Sequence, residues 1–434
     1  MVYTRLRMSV IAGIVLCTVS SVLAYSGGSG TSSDPYQIGT VADWNDLMNT
    51  QSDWNANFIM IADINLQDIP LIPVGNDLNG PYIYFRGIFD GNGHVIRNAA
   101  ITGGYLSTGI GLFGRIDPNS QILNLGAEDV NMTGCGRVGG LVGCSYGIIR
   151  NCFATGKVRQ NWDVSYTSFG GLAGKNFGTI TNCHAVCDVN ANRKNVGGLV
   201  GWNISNIIDS YAYATVNGKD NVGGLVGLNS CTGGETGFGD NIYIGTISRC
   251  FARGSVSGNR NVGGLVGNNS EPDDYLGMVS GYINDSYAVC TVTGIPSYGG
   301  VTSSGGLAGF CILLGRPPFT APITHCYAAG RVDANGGGLI GPPFPPVPLL
   351  QDSFWDINAS GQTQSGGGTG LTTDQMMTLS TFTSAGWDFV DTWGIGENQT
   401  YPFLRTYSGA DLNYDGLVDF MDFALFAERW LAGS

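Results

Sequence analysis

The chain has 434 residues, of which 69 are glycine, 43% are hydrophobic and only 12% are charged. That glycine content excludes a helical bundle, and that apolar content excludes a disordered chain. The formal charge of −13 argues against nucleic acid or anionic lipid as partners, since both select basic patches, and suits calcium, cationic partners or neutral glycans.

Residues 1–24 have the layout of an export signal. Arg5 and Arg7 precede an apolar run from Met8 to Leu23, and Val22 and Ala24 stand at the small-residue positions of a cleavage site. The run is shorter than the roughly 20 residues that span a bilayer, and no later stretch is apolar enough, so no membrane span is expected after signal removal. Loss of the two arginines leaves a side-chain charge of −15.

Residues 25–110 are expected to form opening turns of a strand-rich repeat, with FDGNGH as a turn between strands in which Asn-Gly supplies positive φ. From there one phrase recurs, Gly-Gly-Leu-(Val/Ala/Ile)-Gly, starting at Gly139, Gly170, Gly197, Gly223, Gly263, Gly305 and Gly337, after a degenerate copy at Gly111–Gly114. A second, strand-like phrase follows the first six: Ile149–Val158, Ile180–Val189, Ile208–Val216, Ile247–Val256, Ile283–Val292 and Ile323–Val332. The shortest spacings, 26 and 27 residues, are too short for a propeller blade of about 40–45 residues. They suit one turn of a parallel β-helix with about three strands, its glycines providing positive φ or close backbone approach at the corners.

Aligned, the second phrases stack Cys152, Cys183, Ser210, Cys250, Ser286 and Cys326 in one column. The interchange of Cys with Ser reads as small buried fillers rather than a disulfide framework. Zinc is disfavoured, because no CxxC occurs and His184 beside Cys183 has no matching ligand pair.

From the last glycine of the first phrase to this column the count is 9 residues in three early copies, then 23, 19 and 17. Three successive turns therefore carry insertions at one corner, and stacking should gather the loops at 228–246, 268–282 and 310–322 on one side. Their acids and aromatics, Glu235, Asp240, Tyr243, Glu271, Asp273, Asp274, Tyr275 and Tyr282, make this the candidate surface for a glycan or a surface protein.

The Gly-Gly-Leu-Val-Gly phrases over about 110–345 resemble GLUG repeats, motifs of bacterial surface proteins that include immunoglobulin-A-cleaving peptidases. Residues 26–100, with GGSGTSSDPYQI and FDGNGHVI, resemble the opening turns of pectate-lyase-like β-helices, which implies a right-handed parallel β-helix. Residues 346–408, with SFWD, GWDF and YPFL, resemble a closing cap. Peptidase activity is not implied, since His94, His184 and His325 form no His-Glu-x-x-His motif.

The tail, 409–434, resembles one half of a type I dockerin, an EF-hand-like calcium loop followed by a helix. Asp411, Asn413 and Asp415 fall at loop positions 1, 3 and 5, Leu417 offers its carbonyl at 7, and Asp419 and Asp422 fall at 9 and 12. Dockerins carry two such segments, and the single copy here argues against a cohesin partner.

These readings predict an all-β, secreted or cell-surface bacterial protein that presents a binding surface and binds calcium through its tail for attachment or sorting. The alternative is a polysaccharide lyase or glycoside hydrolase, for which Asp63, Asp68, Asp90 and Arg86 offer carboxylates and a cation in the opening turns.

Overall fold

The computed structural model describes residues 25–76, 83–104, 109–162, 167–233, 242–270, 280–295, 303–311, 323–333, 335–342 and 350–405. The export signal and the calcium loop predicted at Asp411, Asn413, Asp415, Leu417, Asp419 and Asp422 lie outside them. Within these residues the backbone is a parallel β-helix. One full turn runs through Ile148–Arg150, Phe153–Gln160, Ser168–Gly170 and Ala173–Asn176, which belong to four different sheets, numbered 1 to 4 in that order. Each strand pairs in parallel with its equivalents in the turns before and after. Ile149 lies opposite Ile122 and Ile180, and Ala154 opposite Ala127 and Ala185. Among the described residues the sheets hold 11, 12, 7 and 7 strands, so sheets 1 and 2 run nearly the whole length.

The turn has four strands rather than three because the Gly-Gly-Leu phrase is itself a corner between two short strands. Its first glycine ends a strand of sheet 3, as Gly139 and Gly170 do, and the residue after Leu opens a strand of sheet 4, as Val142 and Ala173 do. The leucine fills the interior, and Leu141, Leu172, Leu199, Leu225, Leu265 and Leu307 are fully buried. The second glycine is required by proximity, not by φ. A Cβ on Gly171 would lie 2.2 Å from the Gly198 carbonyl oxygen and 2.9 Å from the Ala185 Cβ on sheet 2, with φ in the ordinary range. The cross-section is thin there, which is why sheet 2 answers with the alanine column Ala154, Ala185, Ala212, Ala252 and Ala288.

Positive φ appears instead at the corner between sheets 1 and 2, immediately before the Cys/Ser column: Asn124, Asn151, Asn182, Asp209, Arg249, Asp285, His325 and Asp352, all between 47° and 55°. Asn and Asp tolerate this left-handed region, whereas Arg and His at such a φ carry strain of roughly 1 kcal/mol or more. The FDGNGH turn behaves as its sequence suggests, with Asn92 at 52° and Gly93 at 79°.

Both ends of the interior are closed. At the start, the helix Val41–Asn49 opens with a Thr40–Asp43 capping box and drives Trp44 against Phe89 and Phe113, ring centroids 5.9 and 6.1 Å away. At the end, short helices Thr373–Met376 and Leu379–Thr383 and an antiparallel pair, Trp393–Gly394 with Phe403–Leu404, fold back as a cap whose Phe382, Trp387, Trp393 and Leu404 pack with Tyr287 and Tyr327 of sheet 2.

Candidate functional site

The predicted loop corner is the junction from sheet 4 to sheet 1. Early turns cross it tightly, Ser145 to Ile148, Asn176 to Thr179 and Asn203 to Asn206. Later turns leave it at Asn229, Asn268 and Phe310 and return at Thr246, Tyr282 and Ile323. The first insertion begins and ends as an antiparallel hairpin, Cys231–Gly233 with Ile242–Ile244, and Ser230 bridges Ser280 of the next insertion. Successive insertions are therefore in backbone contact. Of the predicted contact residues, Glu235, Asp240, Glu271, Asp273, Asp274 and Tyr275 lie outside the described residues, and only the backbone of Tyr243 is described. Tyr282 is half-buried in a sheet 1 strand.

Buried asparagines floor this corner. Asn176 donates to Asn203, Asn203 to Asn229 and Asn229 to Asn269, each at 2.8 Å, one bond per turn. Each amide also meets a carbonyl of the following strand or loop, as Asn229 Nδ2 does at Gly245. The ladder holds the insertions in register from inside. Beside it Lys175 sits 3.3 Å above the Trp202 ring and 4.4 Å above that of Phe177, while Tyr146 stacks on Phe177 at 4.5 Å.

The outer face of sheet 2 carries a second feature, present in the repeats but not recognisable there as a surface. Directly after each Cys/Ser position comes an aromatic ring: Phe153, His184, Tyr211, Phe251, Tyr287 and Tyr327. Neighbouring centroids are 4.8–5.0 Å apart with planes within 7°. Strand spacing sets that distance. The cap covers the last rings and leaves Phe153, His184 and Tyr211 half-exposed. Burial holds the His184 imidazole neutral by pulling its pKa down to about 4. Because each ring face is occupied by the next ring, the ladder offers edges outward and serves chiefly as a spine.

Two residues along, sheet 2 forms a shallow furrow of about 430 Å³. Val186, Tyr213 and Arg253 line one wall, Asp188, Thr215 and Ser255 the other, and Cys187, Ala214 and Gly254 the floor. It exists because the floor column is small, down to Gly254, which has no side chain and takes a φ of 118°. Asp188 also meets Arg159 at 3.5 Å. The carboxylates weighed in the opening turns do not converge. Asp63 binds His94 (3.1 Å) and Arg97 (3.0 Å), Arg86 pairs with Asp117 at 3.5 Å, and Asp90 accepts from Asn124.

Cys135, Cys144, Cys152, Cys183, Cys187, Cys250, Cys290, Cys311 and Cys326 are buried free thiols, and of Cys231 only the backbone is described. The column is polar in function: Ser210 Oγ accepts from the Cys183 amide at 3.1 Å and donates to the Ile208 carbonyl, and Ser286 does the same for Cys250 and Asn284. Cys and Ser interchange because either fills this small bonding position. Desolvation pushes the Cys250 thiol up to about 12, so it is unreactive. Cys183 points inward while its neighbour His184 stands in the outer ring ladder, so the two do not converge on one ligand.

The chain is 34% identical over 428 residues to a protein of Evansella cellulosilytica named as a Gly-rich membrane protein, covering 90% of this chain and 47% of that one. It is 30% identical over 151 residues to Halomucin of Haloquadratum walsbyi, covering 33% of this chain and 2% of the other. The chain thus spans about half of the first relative and a small fraction of the second. A solved structure described as an immunoglobulin A1 protease from Bacteroides ovatus aligns over 88% of this chain and 96% of its own, with 18% identity and a TM-score of 0.43, too low to establish kinship. The family model of the GLUG motif matches residues 134–159. Those residues run from the end of one sheet 2 strand through sheets 3, 4 and 1 to the next, so the GLUG motif in this chain is one turn of the β-helix.

Proposed function

We propose that this chain is a secreted or cell-surface repeat protein that uses a stiff β-helix to hold a binding surface at the corner between sheets 4 and 1. The observation that carries this reading is the stacking of insertions: three successive turns lengthen at the same corner, and the first two insertions touch through Ser230 and Ser280. The names of the two relatives, a membrane protein and Halomucin, favour an exterior location. The partner is a glycan or a surface protein. Calcium binds the tail through Asp411, Asn413, Asp415, Leu417, Asp419 and Asp422, and the tail serves attachment or sorting.

The test is a glycan array on the mature protein, with and without calcium, against a variant whose 231–244 hairpin is replaced by the tight crossing of the Asn203–Asn206 turn. Loss of binding in the variant supports the corner, and unchanged binding removes it. Calorimetry tests the tail: identical calcium heats for wild type and Asp411→Ala would sink that part.

One observation favours a second reading, a polysaccharide lyase or hydrolase: the sheet 2 furrow is lined by both a carboxylate, Asp188, and a cation, Arg253. Turnover of a polysaccharide panel that is abolished by Asp188→Asn would move the function there.

A further inference from the structure

We infer that His325 and Asp285 form an acid-favoured latch that holds the C-terminal cap, residues 379–405, against sheet 2 and loosens it as the medium turns alkaline. The corner between sheets 1 and 2 carries one left-handed residue per turn, and in the early turns their side chains bond in a ladder of neutral asparagines. Asn182 donates to Asn151 at 2.9 Å and Asn151 to Asn124 at 2.9 Å. From Asp209 onward the same positions alternate in charge: Asp209, Arg249, Asp285, His325 and Asp352. The last three of these, Asp285, His325 and Asp352, are the ones that the cap touches.

Two cap residues reach this charged stretch. Trp393 Nε1 donates to Asp285 Oδ1 at 3.3 Å, and Trp387 Nε1 donates to the Asp352 carbonyl at 2.9 Å while its ring lies 6.0 Å from that of His325. His325 Nδ1 stands 3.5 Å from the same Asp285 oxygen that receives Trp393. A protonated His325 therefore fixes the carboxylate that anchors one tryptophan and presents a cation beside the other.

The charged groups acting on His325 are Asp285 in the turn before and Asp352 in the turn after, both favouring protonation. Arg249, beyond Asp285, is committed to Asp209 through two bonds. Of the cap's own charges, Arg405 sits on the Trp393 and Phe389 carbonyls, Asp388 on the Val390 and Asp391 amides and Glu397 on the Leu379 amide, while Asp391 is exposed to solvent. The hydrogen bond that His325 donates to Asp285 raises the His325 pKa above its ordinary 6.5 and, against the desolvation of Asp285, helps to lower that of the carboxylate. A raised base stabilises the folded state fully below its unfolded pKa and loses that contribution as pH rises through the folded value. The latch is thus closed between the carboxylate range and about pH 6.5 and weakens above it. Opening would bare the rings of Phe251, Tyr287 and Tyr327, turning a covered ladder into a sticky one.

The experiment is amide hydrogen exchange on the full chain at pH 6 and pH 8.5, corrected for intrinsic exchange, on wild type and His325→Asn. Asparagine is the residue that the early ladder uses at this φ, so the variant keeps the geometry and removes the charge. In wild type, opening of 379–405 should rise about threefold or more from pH 6 to 8.5. In His325→Asn it should be flat and match the wild-type value at pH 8.5. Amides 184–190 of sheet 2, protected at both pH values, report that the variant is folded, and Asp285→Asn should flatten the profile in the same way. A flat wild-type profile, or the same slope in wild type and His325→Asn, overturns the latch.

Discussion

Arg249 grips Asp209 of the preceding turn through both Nε, at 2.6 Å, and Nη2, at 2.9 Å, from a left-handed backbone position at φ 50°. Two turns earlier the equivalent pair is Asn182 and Asn151, joined by one neutral bond. The helix therefore tolerates a strained arginine where a bidentate ion pair offsets the strain.

That relationship predicts an unusual mutational order. Arg249→Asn should cost less than about 1 kcal/mol, since it relieves the backbone and keeps a bond to Asp209, whereas Arg249→Ala should cost about 2 kcal/mol. Urea unfolding of the two variants checks this, and equal costs would contradict it.

The two kinds of glycine should separate cleanly. Gly171→Ala places a Cβ 2.2 Å from a backbone oxygen of the next turn and should cost about 3 kcal/mol or more, or prevent folding. Gly93→Ala meets nothing within 4 Å and carries only the strain of φ 79°, about 1 kcal/mol. Thermal melts compare them directly.

Asn229→Ala removes the middle of the buried amide ladder and leaves the Asn203 amide and the Asn269 oxygen without their mutual partner. A loss of about 3 kcal/mol is expected. Faster proteolysis within 230–246 should accompany it, because Asn229 also bonds the Gly245 carbonyl that closes that insertion.

His184 should make the protein acid-sensitive in a sense opposite to the latch. Its pKa is depressed to about 4, so its contribution is complete above the unfolded value near 6.5 and is lost as pH falls toward 4. His184→Phe, which suits the ring stack, should recover on the order of 2 kcal/mol at pH 4 and change little at pH 7.5. Denaturant midpoints at the two pH values give the answer.

Much of this was legible beforehand, for a physical reason. A solenoid repeats its environment every turn, so the 26- and 27-residue spacing and the alternation in INCFATGKV-like segments read directly as stacked strands, and the change in spacing after Gly227 located the insertion corner. The same alignment held two further columns, the residue before each Cys/Ser and the residue after it. Their value was hidden because a mixture of Asn, Asp, Arg and His has no meaning as a column until it is known to sit at one positive-φ corner. A mixture of Phe, His and Tyr likewise does not announce a stack until the strand spacing sets rings 4.8 Å apart.

What the sequence by itself determined is the period, the all-β class and the corner where loops accumulate, because these depend on order along the chain. Tertiary structure decided why each glycine is needed, that each turn has four strands, and how the cap lies across the ring ladder. Those depend on distances between turns and between opposite faces of a thin cross-section. Gly171 and Ala185, 14 residues apart, meet only once the turn has closed.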